Sequence, residues 1–497
     1  MNISVSPLAH GMGAATAPKN LLIGGKLVPS LSGRTFETRN PATGELLATV
    51  YEGDAEDINL AVAAARRAFE GPWSRFTPFQ RQECLLKFAD LVEKNFEELA
   101  RLDTLDMGAP ITFARSRKQR AIGMLRFYAG LCTTIRGETL PNSIAGDVFA
   151  YTLKEPVGVV GAITPWNAPL TSTLWKIGPV LASGCTMVLK PAEDAPLTAL
   201  WLGEMAMEAG VPEGVLNVVP GYGHTAGAAL SSHMDVDKVA FTGSDTTGRK
   251  IIKASKSNFK RVTLELGGKS ADIVFADANM DKAVAGAGMA VFINSGQICS
   301  AGTRLLVERT VYDEFVERVS RFASGLRVGN GMDPDTQIGP LVSKKQLERV
   351  ASYIEIGLGE GASATIGGKQ MTDGDLSKGY FMAPTVLKGV NNDMRIAQEE
   401  IFGPVVSAIP FDTPEEAARL ANQSMFGLGG GVWTESLRKA NFMAKSIRTG
   451  TVWVNCYGLM DPTVPFGGYK ASGYGRESGV QHVEEYLQTK SVVIQNA

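Results

Sequence analysis

Cys299 lies in the stretch Ser295-Gly-Gln-Ile-Cys-Ser-Ala-Gly302, among small, turn-forming residues at the end of a helix-like segment. A cysteine so placed is either a small buried hydrophobe or, if accessible and ionised, a nucleophile. The residues alone leave both readings open. Glu265, in Leu264-Glu-Leu-Gly-Gly-Lys269, is an acid inside an apolar strand that ends in two glycines. A buried carboxylate without a partner is costly, so Glu265 is either ion-paired, with Lys269 close in sequence, or neutral and available for acid–base work. Lys190-Pro-Ala-Glu193 closes another apolar strand. An acid there accepts hydrogen bonds from both hydroxyls of an adenosine ribose and disfavours a 2′-phosphate, unless it is only a solvated Lys–Glu pair. The strand Val239-Ala-Phe-Thr-Gly243 runs into Ser244-Asp-Thr-Thr-Gly-Arg-Lys250, a glycine-bounded turn that can offer backbone N–H groups and a helix N-terminus to a phosphate. Gly248 is followed by Arg249, Lys250 and Ile251, so the Walker pattern fails, and the G-x-G-x-x-G fingerprint is absent. Alone, this turn is equally a plain strand-to-helix connection.

These residues need a scaffold, and the apolar pattern supplies one. Asp54 to Thr133 is mostly helical, with Leu60, Val62, Ala65 and Phe69 near a 3.6-residue period. From residue 156 onward, apolar runs alternate with helical ones. Pro156–Ile163, Cys185–Leu189, Val215–Val219, Lys238–Phe241 and Val262–Leu266 read as strands. Between them, Leu170–Ala182, Leu197–Ala209, Ala226–Ser231 and Gly248–Ser257 read as helices. Strands that are apolar throughout imply a parallel sheet covered on both faces, with ligands at the C-terminal strand ends. A second alternating region opens with the strand Ala271–Phe275 and the helix Asp281–Asn294 and runs to about Gly475. The tail Lys490–Gln495 is a short strand with no obvious local partner, an edge that invites another subunit.

Composition narrows the function. A chain of 497 residues with 55 glycines and 20% charged residues fits a globular α/β enzyme of two or three compact units. The net charge of −2 leaves no basic footprint for nucleic acid. No run reaches the roughly 20 apolar residues of a membrane span. Met1–Asn20 lacks the basic and apolar regions of a secretory signal and reads as a loose arm. The five cysteines (Cys84, Cys132, Cys185, Cys299, Cys456) and four histidines (His10, His224, His233, His482) are scattered. That pattern argues against a disulfide framework or a metal site and for a reducing cytoplasm.

Seven segments together closely resemble the aldehyde dehydrogenase superfamily, in the family's order and over nearly the whole chain from about Asn20. They are Thr164-Pro-Trp-Asn167, Lys190-Pro-Ala-Glu193, Phe241-Thr-Gly-Ser244, Leu264-Glu-Leu-Gly-Gly268, Gly296-Gln-Ile-Cys299, Glu399-Glu-Ile-Phe-Gly-Pro404 and Pro465-Phe-Gly-Gly-Tyr-Lys470. The resemblance implies an NAD(P)⁺-dependent oxidation of an aldehyde to an acid. Cys299 would be the nucleophile, Asn167 with the Cys299 N–H the oxyanion hole, Glu265 the base that hydrolyses the thioester, and Lys176 with Glu477 a buried proton relay. It places Ser244 near the pyrophosphate, Lys190 and Glu193 on the adenosine ribose, and Glu400 and Phe402 at the nicotinamide end. Ile163, Thr164, Pro165, Trp166, Gly223, Gly227, Phe241, Gly243, Thr247, Leu266 and Gly267 would line the same cofactor site. Glu193 favours NAD⁺ and leaves NADP⁺ possible; no metal is implied. The implied fold is a Rossmann-like cofactor domain (21–136 and 156–267), a second α/β catalytic domain (268–475) and a small β bridging segment (137–155 and 476–497), after an N-terminal arm (1–20). A homo-oligomer, tetramer rather than dimer, follows from the same resemblance.

Small-aldehyde members often line the substrate tunnel with aromatic rings. At the matching positions this chain has Ala168, Ile293 and Met460, with Phe466 aromatic and Trp175 deeper in. Ser172 is also small, and Ile298 and Ser300 flank the nucleophile. The expectation is a tunnel for a bulky hydrophobic aldehyde: aromatic, terpenoid or medium-chain. The basic run Arg115-Ser-Arg-Lys-Gln-Arg120 reads as a solvated helix face. Its last residue, Arg120, can alternatively hold the distal carboxylate of a semialdehyde. A CoA-acylating enzyme is the other runner-up, disfavoured because such members usually lack the glutamate that Glu265 matches. A non-catalytic relative would be expected to lose the nucleophile or cofactor contacts, and both sets are intact.

Overall fold

A computed structural model describes residues 17–496. Two large sheets carry the molecule. The first has eight strands in the order Lys26–Val28, Leu21–Ile23, Leu216–Val218, Thr186–Lys190, Val159–Ile163, Lys238–Thr242, Arg261–Glu265 and Gly473–Tyr474. Its five central strands are parallel. The strands 159–163 and 186–190 are buried at every position, as expected where helices cover both faces. The second sheet has seven strands, ordered Ser363–Ile366, Thr385–Lys388, Val405–Phe411, Arg304–Glu308, Ala271–Val274, Gly429–Trp433 and Thr451–Val454, and only its first pairing is antiparallel. The short strand 473–474 comes from late in the chain yet closes the first sheet beside Glu265.

The helical layer is built from Ala55–Glu70, Pro78–Lys94, Phe96–Met107, Ile111–Ser116 and Lys118–Leu131. Capping decides two of its starts: Asp54 with Asp57, and Thr77 with Gln80, each form a reciprocal capping box. Ala61, Val62 and Ala65 face inward, whereas Leu60, which fits the same apolar pattern, is 48% exposed. The helix Pro169–Ser183 is buried along its whole length. It packs on Lys118–Leu131 because Gly178 has no side chain; an added Cβ would overlap the Tyr128 ring.

Several boundaries differ from the sequence expectation, each for a local reason. The run 156–163 is two strands, Val148–Pro156 and Val159–Ile163, broken at Gly158 with φ +127°. The helix expected from Gly248 starts at Asp245, because the Ser244 hydroxyl caps the Thr247 N–H. The segment around Ala226 begins with a wide π-type turn, Gly223–Gly227, before Ala228–Ser232. The helix expected to reach Asn294 stops at Phe292, since Asn294 and Ser295 both take left-handed backbone. The tail, which the strand pattern left without a local partner, joins the 137–155 segment with which the resemblance grouped it. Leu487–Gln495 pairs antiparallel with Val148–Pro156 over nine residues, from Leu487↔Pro156 to Gln495↔Val148, in a three-stranded sheet with Thr139–Leu140. A partner more than 300 residues away in sequence is invisible to local pattern. Of the expected arm, residues 1–16 lie outside the described residues, while Lys19 is fixed by backbone hydrogen bonds to Thr49 and Tyr51.

Candidate active site

Cys299 is delivered by a strained turn. After Phe292 the chain passes through Asn294 (φ +53°), Ser295 (φ +56°) and Gly296 (φ +72°), a sequence of left-handed residues that only surrounding contacts can hold. Those contacts are present. The Ser295 hydroxyl donates to the Gly339 carbonyl at 2.8 Å, and Gln297 Oε1 accepts the Val342 N–H at 2.9 Å. Beyond the thiol, the Tyr457 hydroxyl donates to the Ser300 carbonyl at 2.7 Å. Cys299 is thus fixed from both sides, half-buried against Leu428, Trp453 and Phe466. By contrast Cys84, Cys132 and Cys185 are buried. Burial and the nearby Glu400, Glu265 and Glu477 carboxylates push the Cys299 thiol up to about 12.

Asn167 meets this turn from the first sheet. Its Nδ2 donates to the Gln297 carbonyl at 2.9 Å, and Asn294 Nδ2 donates to the Asn167 carbonyl at 3.2 Å. One Asn167 N–H remains, and the Cys299 N–H has no acceptor among the described residues. Glu265 stands at the end of its strand, buried, and both carboxyl oxygens lack a hydrogen-bond partner. Lys269 Nζ lacks one too, so the ion pair weighed from the sequence is not formed. Burial first, and the Glu477 charge second, raise the Glu265 carboxyl well above the ordinary range. Lys176 and Glu477 do form a buried ion pair, with the Thr242 hydroxyl donating to the same Glu477 oxygen at 3.3 Å.

Asn167, Glu265 and Cys299 line one cleft of about 590 Å³ at the C-terminal ends of the first sheet's strands. Pro165, Trp166, Gly243, Ser244, Leu266, Gly267, Glu400 and Phe402 line it as well. Trp166 and Phe402 meet edge to face at 5.3 Å, and Phe402 is held at φ +63° with its carbonyl accepting from Gln346 at 2.8 Å. Glu400 Oε1 accepts the Gly268 N–H at 3.0 Å, and an added Cβ on Gly267 would strike that carboxylate. Burial lifts the Glu400 carboxyl to about 7. Lys190 is not free for a ligand in the way the sequence suggested: its ammonium donates to the Pro191 and Gly221 carbonyls and to Glu193. Glu193 is about a third exposed and keeps an open oxygen. Ile163 and Phe241 are packed in the core, Thr164 donates its N–H to the Lys190 carbonyl, and Gly227 lies against the Lys190 stem. Gly223 opens the π-type turn and Thr247 lies in the first turn of the Ser244-capped helix; neither is on the cleft wall. Sequence reasoning missed Thr242, Tyr457, Gln346 and Arg349; Gln346 and Arg349 lie on the helix Lys344–Gly359, which no motif marked.

The substrate-side residues separate into two groups. Trp175 and Phe466 stack in parallel, 6.3 Å apart and 3° between planes, and Met460 packs beside Phe466 and Cys299. Ile293 instead lines a neighbouring apolar hollow of about 290 Å³ with Phe113, Met289, Phe292 and Ile338. The Ser172 hydroxyl is spent on the Ala168 carbonyl at 2.7 Å, so this wall presents little polarity. Ile298 is half-buried and Ser300 buried in the nucleophile turn. The basic run is no uniform solvated face: Arg115 pairs with Glu97 and Arg117 lies over Phe113. Arg120 lies 4.5 Å over the Trp175 ring with no hydrogen bond or ion pair among the described residues. Burial and Arg117 bring the Arg120 guanidinium down to about 10.

The family model described as "Aldehyde dehydrogenase family" matches residues 27–492. The chain belongs to the aldehyde dehydrogenase family. It is 51% identical to aldehyde dehydrogenase family 2 member B4, mitochondrial, of Arabidopsis thaliana over 476 residues, which cover 95% of this chain and 87% of the relative. It is 49% identical over 476 residues to the mitochondrial benzaldehyde dehydrogenase of Antirrhinum majus, covering 95% of this chain and 88% of that one. Among solved structures, the NAD⁺ complex of the Bacillus cereus aldehyde dehydrogenase superposes with a TM-score of 0.95 at 47% identity, over 100% of both chains. No helix of the described part of this aldehyde dehydrogenase is long and apolar enough to cross a membrane. Among those residues, no group of three or more His, Cys, Asp or Glu is placed to hold a metal.

Proposed function

We propose that this aldehyde dehydrogenase oxidises a bulky hydrophobic aldehyde to its carboxylic acid with NAD⁺, through a covalent intermediate on Cys299 that water resolves. The observation that carries this reading is the convergence of Cys299, Asn167 and Glu265 on one cleft that Glu400 and Phe402 also line. The cleft's volume, its position at the strand ends and the Ser244-capped helix fit a dinucleotide. Bound NAD⁺ supplies a hydride acceptor. Ser244 would face the pyrophosphate, Glu193 the adenosine ribose, and Glu400 with Phe402 the nicotinamide end. The carboxylate of Glu193 favours NAD⁺ over NADP⁺.

The chain's own residues account for the remaining chemistry. Transfer of the Cys299 proton to water in the cleft gives the thiolate, which adds to the aldehyde carbon. The free Asn167 N–H and the Cys299 N–H receive the developing oxyanion, each such donor contributing about 3 kcal/mol in a transition state. After hydride departure, Glu265 removes a proton from water, the hydroxide adds to the thioester carbonyl, and the C–S bond breaks to release the acid and the Cys299 thiolate. The Glu477 carboxylate would receive the Glu265 proton, while the Lys176 ammonium, paired with it, holds it in place. Retention of Glu265 supports water over CoA as the acyl acceptor.

Apolar lining near Cys299, the hollow beside Ile293 and the relative named benzaldehyde dehydrogenase support a large apolar substrate. The unpaired guanidinium of Arg120 favours a second reading, an aldehyde with a distal carboxylate. A panel of acetaldehyde, benzaldehyde, a medium-chain aldehyde and a semialdehyde, run with NAD⁺ and NADP⁺ and with or without CoA, tests these readings. A kcat/KM that falls from acetaldehyde to larger aldehydes contradicts the hydrophobic-tunnel reading, and CoA-dependent acyl transfer contradicts hydrolysis. A homotetramer in a reducing cytoplasm completes the proposal, supported by the exposed strand pair 148–156 and 487–495 and by the absence of paired cysteines among the described residues.

A further inference from the structure

Ser478 has φ +60° and ψ 170°, a backbone region that is almost exclusive to glycine, and its side chain is buried. A serine maintained there points to contacts that need it. Two exist. Its hydroxyl accepts the indole N–H of Trp175 at 2.9 Å, and its backbone N–H donates to His482 Nδ1 at 3.2 Å. Because a backbone N–H can only donate, Nδ1 is the unprotonated nitrogen and Nε2 carries the proton. The Tyr128 hydroxyl, 2.6 Å from the same Nδ1, must then donate as well. Burial, with Lys176 and Lys238 nearby, depresses the imidazole well below its ordinary range, which agrees with a neutral ring. Tyr128 reaches His482 by packing over Gly178.

The peptide between Glu477 and Ser478 is therefore held on both sides. His482 takes its N–H, and the Phe466 N–H donates to its carbonyl. Adjacent residues on one helix meet adjacent residues on this loop: Trp175 meets Ser478, and Lys176 meets Glu477. One contact fixes a ring that stacks on Phe466 at the substrate wall; the other fixes the relay carboxylate.

We propose that His482 is a positioning residue that, through the Glu477–Ser478 peptide, sets both the orientation of Trp175 toward the substrate and that of Glu477 toward the proton leaving Glu265. This rests on the hydrolytic reading above. Loss of Nδ1 removes the ring acceptor of the Ser478 N–H and leaves only the Tyr128 hydroxyl beside it, and the strained Ser478 relieves this by rotating that peptide.

The test follows formation and decay of the acyl-enzyme in single turnovers with benzaldehyde. His482→Ala is expected to raise KM for benzaldehyde, to leave the rate of formation at saturating benzaldehyde unchanged and to slow decay on the order of ten- to a hundredfold, the scale of a misplacement by about 1 Å. His482→Asn, which returns an acceptor near the Nδ1 position, is expected to restore decay. Ser478→Gly suits the backbone and removes only the hydroxyl; it is expected to raise KM for benzaldehyde while leaving kcat unchanged. Equal loss of formation and decay in His482→Ala, no rescue by His482→Asn, or an unchanged KM in Ser478→Gly would overturn the inference. If His482→Ala does not fold, the Ser478→Gly and His482→Asn arms decide. In parallel, Glu265→Gln must accumulate acyl-enzyme. Failure there overturns the hydrolytic reading itself, whereas accumulation there with wild-type decay in His482→Ala overturns only the role of His482.

Discussion

Glu265 is a carboxyl without a hydrogen-bond partner, on which burial and the Glu477 charge outweigh the nearby Lys176 and Arg476 cations. A base so placed works only after losing a proton that it holds well above the ordinary carboxylate range. Deacylation should therefore rise with pH through that elevated pKa, and Glu265→Gln should erase this limb while NADH is still formed in the first turnover. A pH profile of kcat under deacylation-limited conditions checks it. Asn167→Ala should lower kcat on the order of a hundred- to a thousandfold, the loss of one oxyanion donor, with little change in thermal stability. Arg120 separates the two substrate readings. Arg120→Ala should leave benzaldehyde kinetics alone and, if a distal carboxylate is bound there, raise KM sharply for a semialdehyde.

At the scale of elements, the nucleophile depends on backbone that sequence pattern does not reveal. The helix Met280–Phe292 ends because Asn294 and Ser295 turn left-handed, and only contacts from Gly339, Val342 and Tyr457 show why that turn persists. Helix packing gives a direct test. Gly178→Ala places a Cβ into the Tyr128 ring, and overpacking of this kind typically costs about 1–3 kcal/mol, readable as a lower Tm. The apolar pattern was enough to locate the parallel strand that leads to Asn167, because the fully buried Val159–Ile163 leaves an uninterrupted apolar run, and the strand ending at Glu265, whose buried end is Leu264 and Glu265. It was not enough to choose between a paired and an unpaired Glu265, since the decisive fact is the three-dimensional distance to Lys269. Nor did the pattern choose between a solvated Arg120 and one held for a ligand; its guanidinium lies over Trp175 rather than facing an acid. The seven short motifs marked the cleft residues well. Gln346 and Arg349 escaped because their partners are backbone atoms, and His482 because its partners are a backbone N–H and a tyrosine 354 positions away, none of which leaves a local pattern of residue types.

Across the whole molecule, the site is assembled from distant parts of one chain. Strand 473–474 closes the first sheet beside Glu265, and the loop that follows brings Glu477 onto Lys176. The terminal strand then pairs with 148–156, and Phe149, Leu153, Val493 and Ile494 remain exposed on this ribbon. Exposed apolar positions on an edge sheet favour association. If the proposed tetramer forms through this ribbon, removal of residues 488–497 is expected to shift the protein toward smaller species by light scattering. The central claim is that Cys299 carries the acyl group and Glu265 releases it. Intact-protein mass spectrometry of Glu265→Gln after one turnover with benzaldehyde and NAD⁺ tests it most directly. The account predicts one benzoyl group per subunit, mapped to Cys299 and accompanied by one NADH. NADH formed with no adduct, or an adduct on any other residue, would contradict it.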